Sequence, residues 1–177
     1  MKIFSTLTPE SLPRYIACYA MIFFMMFLDI QVLPLMFELP VYTVFFLPTI
    51  YYWAIYRPTI IPPWLLFLFG LLKDLFMAYP YIGLSSAVYI IAYILTKQQR
   101  SYLSGQYFIM VWAGYCLVAV TSMFIYFVAH YLYLFSTKEV FAFLLEAIFM
   151  IIIFPLTLPT LGTIQRALPR STYRANL

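Results

Sequence analysis

The sequence predicts an all-α, polytopic membrane protein, a single domain over residues 1–177 with about six transmembrane helices and both termini cytoplasmic. Three observations predict it. The chain is 66% hydrophobic and 21% aromatic. Charged residues make up only 9%, against about 25% in an ordinary soluble domain, so hydrocarbon must be the solvent for most of the chain. The basic residues stand singly or in pairs between apolar runs, which is how orientation in a membrane is encoded.

The net charge of +4 and pI near 9.0 do not mark a nucleic-acid binder, because the basic residues form no stripe with interleaved aromatics. Cys18 and Cys116 both lie inside apolar runs and compose neither a disulfide framework nor a CxxC metal site. They read as packing residues.

A first span is expected over Tyr15 to Leu33. Pro9, Glu10, Pro13 and Arg14 separate it from Lys2, and no small-residue cleavage site follows before Pro34, so it reads as a retained span and not a signal peptide. The second, Val41 to Tyr56, is short and carries Pro48, which predicts a helix that is tilted, broken or buried among its neighbours. Arg57-Pro58-Thr59 makes a tight turn. Pro62 and Pro63 suit the first turn of the third span, Ile60 to Met77, while Trp53, Tyr56 and Trp64 read as interfacial anchors. The fourth span, Tyr81 to Thr96, is also short. Gly83, Ala87 and Ala92 keep it thin, which predicts close packing on the third. Longer spans follow over Tyr107 to Tyr133 and Val140 to Ile164. In the last, Pro155 and Pro159 lie on one face and mark a bend or an exit from the membrane.

With the N-terminus inside, the cytoplasmic segments hold Lys2, Arg14, Arg57, Lys97, Arg100, Arg166, Arg170 and Arg174. The outer loops hold only Lys138, and the loops Pro34 to Pro40 and Ala78 to Pro80 hold no basic residue. That asymmetry supports six spans; five would place the basic tail outside.

Ionisable residues inside spans are costly and mark functional candidates. Asp29, Lys73, Asp74, His130 and Glu146 all fall in the outer half of the membrane, where they are expected to gather into a polar pocket or groove opening outward. Such a site suits a partner helix, a lipid headgroup or a small solute. The alternative is that the carboxylates pair with Lys73 or with backbone, or snorkel to the interface, and lock the bundle. Lys73 and Asp74 point about 100° apart on a helix, so Asp74 needs a partner from another span, or water. Gly70, four residues before Asp74, shares its face.

Catalytic constellations are missing. His130 has no second His at metal-ligand spacing, Gly83-Leu84-Ser85-Ser86 is not a nucleophile elbow, and no phosphate-cradling loop or paired-aspartate motif occurs. The expectation is a non-enzyme with no metal and no cofactor.

Phe69-Gly70-Leu71-Leu72-Lys73-Asp74-Leu75-Phe76, followed by Tyr81-Ile82-Gly83-Leu84-Ser85, resembles the rod shape-determining protein MreD family. That family shows a Gly-x-x-x-Asp run ending one span and a Leu-Gly pair opening the next; Gly70, Asp74 and Gly83 match it. Ile82 stands where the family often has Leu, and Lys73 where an apolar residue is common. Glu139-Val140-Phe141, Pro155, Pro159 and the basic tail resemble the family's last span. The resemblance implies a non-catalytic inner-membrane subunit of the bacterial cell-elongation and peptidoglycan-synthesis machinery. It would bind MreC and, through it, MreB, RodA and a penicillin-binding transpeptidase. It also implies a fold similar to the S-components of energy-coupling-factor transporters. The alternative is a solute-binding subunit of a small-molecule or vitamin transporter.

Overall fold

The computed structural model describes residues 12–36, 44–77, 82–131 and 137–167, with side chains at 12–14, 32–36, 130–131, 137–143, 145 and 167 excepted. The described residues form six helices and no strand: α1 (Leu12–Met36), α2 (Phe46–Tyr56), α3 (Pro63–Phe76), α4 (Leu84–Leu103), α5 (Phe108–Tyr131) and α6 (Thr137–Ala167). The loop expected over Pro34 to Pro40 begins inside α1, which runs on to Met36; its remainder, the loop at Ala78 to Pro80, the N-terminal segment with Lys2 and Glu10, and the tail residues Arg170 and Arg174 lie outside the described residues.

The central element is the shortest. α2 has 11 residues, about 16 Å at 1.5 Å per residue, roughly half the ~30 Å of a bilayer's hydrocarbon core. It touches α1, α4, α5 and α6, and every residue from Phe46 to Ile55 is buried, as expected of a helix apolar on all sides. Leu47, Tyr51 and Ile55, one turn apart, face a core shared with Val118 and Met123 of α5 and Met150 and Phe154 of α6. Phe46, Ile50 and Trp53 face a second core with Ile22 and Met26 of α1 and Leu66 of α3. α2 is therefore the axle between two half-bundles.

Pro48 does not interrupt this helix. It is the third residue of α2, where its missing N–H would have had no intrahelical partner in any case.

Other boundaries differ from expectation for local reasons. α3 begins at Pro63, with Pro62 as its extended N-cap, since proline is preorganised for a first turn. α4 runs on through Lys97, Gln98, Gln99 and Arg100 to Leu103, because those residues are good helix formers and nothing breaks the helix before Gly105, whose φ is +99°. α6 stays helical through Pro155 and Pro159. Pro155 cannot donate to the carbonyl of Ile151, and Trp112 Nε1 of α5 donates to it instead, at 3.2 Å. Hydroxyls of Thr157 and Thr160 donate to the carbonyls of Phe154 and Thr157 at 2.9 and 2.7 Å.

Among the described residues two helices, over Phe108–Ala129 and Glu146–Arg166, are long and apolar enough to cross a membrane; Tyr15–Gln31 is apolar over a shorter length. Much of the outward surface is apolar: Phe23, Phe24 and Phe27 on α1, Leu72, Leu75 and Phe76 on α3, Val120 and Phe124 on α5, and Ile152 and Leu156 on α6 are exposed, while exposed polar residues gather at the ends of α4 and α6 (Lys97, Gln98, Ser101, Thr163, Arg166). Asp29, Lys73, Asp74 and Glu146 are buried. Monomers in water rarely carry such a surface.

Candidate functional site

The buried charges are placed by helix starts that lack caps of their own. The N-cap of α2 is Phe45 and that of α4 is Gly83, and neither side chain bonds the first turn. Uncapped amides need acceptors, most of all where water is excluded. Asp29 of α1 supplies them for α2: its Oδ1 accepts from the amides of Val44 (3.1 Å) and Phe45 (2.7 Å), and its Oδ2 from Phe46 (3.0 Å). Asp74 of α3 does the same for α4, its Oδ2 accepting from the amides of Gly83 (2.7 Å) and Ser85 (3.2 Å). Both carboxylates sit at the positive end of a helix dipole. The sequence shows no internal repeat, yet the fold uses one device twice.

Lys73 interacts electrostatically with both. It is fully buried, within electrostatic reach of Asp29, Glu146 and Asp74, and its Nζ lies 5.9 Å from the centroid of the Tyr89 ring. Glu146 joins from α6. The structure thus unites Asp29, Lys73, Asp74 and Glu146, the four described charges of the expected outer group, at the N-terminal end of α2. They form a closed cluster: Asp29 and Asp74 are each 1% exposed and Lys73 is 0% exposed, so among the described residues they do not line an open groove. Asp74 takes its hydrogen-bond partners from the start of α4, outside its own helix, as expected. His130 falls within α5, and its side chain lies outside the described residues.

Gly70 and Gly83 have separate roles. A Cβ on Gly70 would fall inside the backbone of Ser86, so α3 and α4 meet there main chain to main chain, and Ser86 Oγ donates to the Phe67 carbonyl at 2.9 Å. Gly83 corrects the expectation that it thins the fourth span. Nothing approaches its Cβ position, and its φ of +103° is what requires glycine.

Several residues of the site carry no recognisable signal. Tyr115 of α5 is fully buried, stacks on Phe154 at 4.2 Å, and its hydroxyl is unpaired. Tyr126 donates to Ser85 Oγ at 3.0 Å beside the Asp74 cap. Gly114 leaves room for Tyr51, whose hydroxyl donates to the Val111 carbonyl at 2.8 Å. At the opposite end of α2, Arg100 Nε donates to the Ile55 carbonyl at 2.8 Å. The buried tyrosines are indistinguishable in sequence from interfacial ones.

Among the described residues no three His, Cys, Asp or Glu side chains are grouped to hold a metal ion. No family model, curated protein or solved structure matches the chain.

Proposed function

We propose that the chain is a multi-pass protein of a bacterial inner membrane, with six spans and both termini cytoplasmic, that serves the cell-elongation machinery as a non-catalytic subunit docking MreC. One observation carries the reading. The three residues on which the resemblance to the MreD family rests make a single unit: Gly70 brings α3 onto Ser86, Asp74 caps α4, and Gly83 supplies the backbone turn between them. A chance match in an apolar chain has no reason to select three cooperating positions.

The inverted surface supports the membrane reading. Lipid suits the exposed Phe and Leu side chains, and the carboxylate caps suit helix starts that water does not reach. A short α2 fits as well, since a helix enclosed by others need not span the bilayer. Supporting residues of this kind build a rigid platform, which is what a scaffold needs.

The solute-binding alternative requires access to the polar cluster, and its charged residues are buried. Affinity purification of the tagged chain from membranes in mild detergent, followed by mass spectrometry, tests the assignment. Recovery of MreC with cell-wall synthases is expected. Recovery of a transporter ATPase pair without them would overturn it.

A further inference from the structure

α1 is held by its neighbours on one side. Cys18, Ile22, Met25, Met26 and Asp29 are buried where α1 touches α2, α3 and α6, and at about 100° per residue they share one face. On the opposite face lie Ala17, Ala20, Phe24, Phe27 and Gln31, all exposed. Their spacing alternates three and four residues, which is the a and d pattern of a helix-pairing seam, sustained over about 21 Å of helix. Gln31 sets this face apart from the other apolar ones. It stands inside an apolar run, since α1 continues past it through Val32, Leu33, Pro34, Leu35 and Met36, and its carboxamide bonds nothing among the described residues. Exposed hydroxyls on the long helices turn back on their own backbone instead: Thr121 donates to the Leu117 carbonyl at 2.8 Å on α5, and Thr163 to the Thr160 carbonyl at 2.7 Å on α6. Lipid tails offer a carboxamide no partner.

We propose that this face of α1 pairs with α1 of a second copy of the chain, as a parallel homodimer in which the two Gln31 side chains bond each other. Copies inserted by the same charge rules share one orientation, so two α1 helices meet in parallel. About a two-fold axis along the membrane normal, each seam residue faces its own counterpart. A carboxamide both donates and accepts, so Gln31 is its own complement, and a polar side chain at an a position fixes the register of a helix pair. Ala17 and Ala20 let the two backbones approach closely, while Phe24 and Phe27 supply the knobs of the seam. A helix of different sequence has to bring a polar group of its own to the depth of Gln31; a second copy brings it by symmetry. The inference rests on the membrane reading above and not on the choice of partner.

Two measurements on the full chain test it. Wild-type chain carrying one fluorophore and reconstituted in bilayers at decreasing density should bleach in two steps, with a dimer fraction that falls on dilution. Gln31→Leu should raise the dissociation constant about five-fold, the equivalent of about 1 kcal/mol for an interhelical hydrogen-bonded pair. Oxidative cross-linking in native membranes, in a Cys18→Ala, Cys116→Ala background, locates the contact. Ala17→Cys, Ala20→Cys, Phe24→Cys, Phe27→Cys and Gln31→Cys should each join two copies, whereas Val120→Cys and Leu156→Cys, exposed on α5 and α6, should not. Single-step bleaching of the wild-type chain at every density overturns the proposal, and that measurement needs no variant to fold. So does a Gln31→Leu chain that pairs as tightly as wild type, cross-linking as strong at Val120→Cys as along the seam, or seam cysteines that join only a protein of different mass. Failure of the membrane reading is separable, because the chain would then wash out of carbonate-treated membranes.

Discussion

Asp29 and Asp74 each serve a helix to which they do not belong, and this gives their substitutions a specific signature. Asp29→Ala strips the acceptors from three amides at a buried helix start, where loss of a cap and of charge-assisted bonds costs about 2–3 kcal/mol. Asp29→Asn keeps one carbonyl acceptor and should lose about half of that. Thermal unfolding in mild detergent measures both, and equal loss in Asn and Ala variants would count against capping. Lys73 offers a second test. Removing one member of a buried charged group strands the others, so Lys73→Met alone should destabilise by about 3 kcal/mol. Adding Glu146→Gln should recover part of that loss, with a coupling energy of about 1 kcal/mol or more; strict additivity of the two would mean that they do not interact. The sequence made the grouping of these charges legible, since each falls near the same end of its apolar run. Pairing with backbone was one of the two readings the sequence offered, but which amides they would cap was not legible. The groups they serve are main-chain amides of Val44, Phe45, Phe46, Gly83 and Ser85, which any residue but proline provides.

Among the elements, α2 and α6 show how proline reads in a chain of this kind. Pro48 and Pro155 look alike in sequence, but one occupies a first turn that has no bond to lose and the other removes an interior bond that a neighbour replaces. Trp112→Phe should leave the Ile151 carbonyl without its donor and cost about 1 kcal/mol. In a Pro155→Ala background the restored amide of residue 155 satisfies that carbonyl, and the same Trp112→Phe change should cost almost nothing. A cost that stays constant across the two backgrounds would refute the compensation. The two glycines separate in a similar way. Gly70→Ala meets the Ser86 main chain and should force α3 from α4, with a loss of several kcal/mol as for overpacking against unyielding backbone. Gly83→Ala meets nothing and pays only for its left-handed conformation, about 1–2 kcal/mol. Gly83→Asn should be milder, since Asn tolerates that region; thermal unfolding of the three variants should rank them in this order. Spacing made the α3–α4 contact at Gly70 legible. It could not distinguish a glycine chosen for space from one chosen for φ, because both appear as the same letter.

At the scale of the whole molecule, the two charge groups at the ends of α2 bear on orientation. Asp29 at the N-terminal end and Arg100 at the C-terminal end both complement the helix dipole, so reversing α2 within the bundle would set each charge against its helix end. The direction of α2 is thereby tied to the direction of the basic end, and basic ends stay cytoplasmic. Among the described residues only α5 and α6 are long and apolar enough to cross a membrane by themselves, so the proposed six spans depend on the remaining helices being carried by their neighbours. Reporter fusions test that dependence. A periplasm-dependent reporter should be active when fused after Pro40, Pro80 or Phe135, and a cytoplasm-dependent one after Thr59, Gly105 or the C-terminal residue. The decisive position is Pro40. If α1 and α2 form a hairpin entering and leaving the outer face, the Pro40 fusion is periplasmic and the Thr59 fusion cytoplasmic, despite an α2 of only 11 residues. Should both report the same side, α2 is a re-entrant helix, the span count becomes odd, and the C-terminal tail with Arg170 and Arg174 moves to the outer face. Substituting Arg57 and Arg100 together by Glu should weaken the preference at Thr59 first, because those two residues stand at the basic end of the shortest helix.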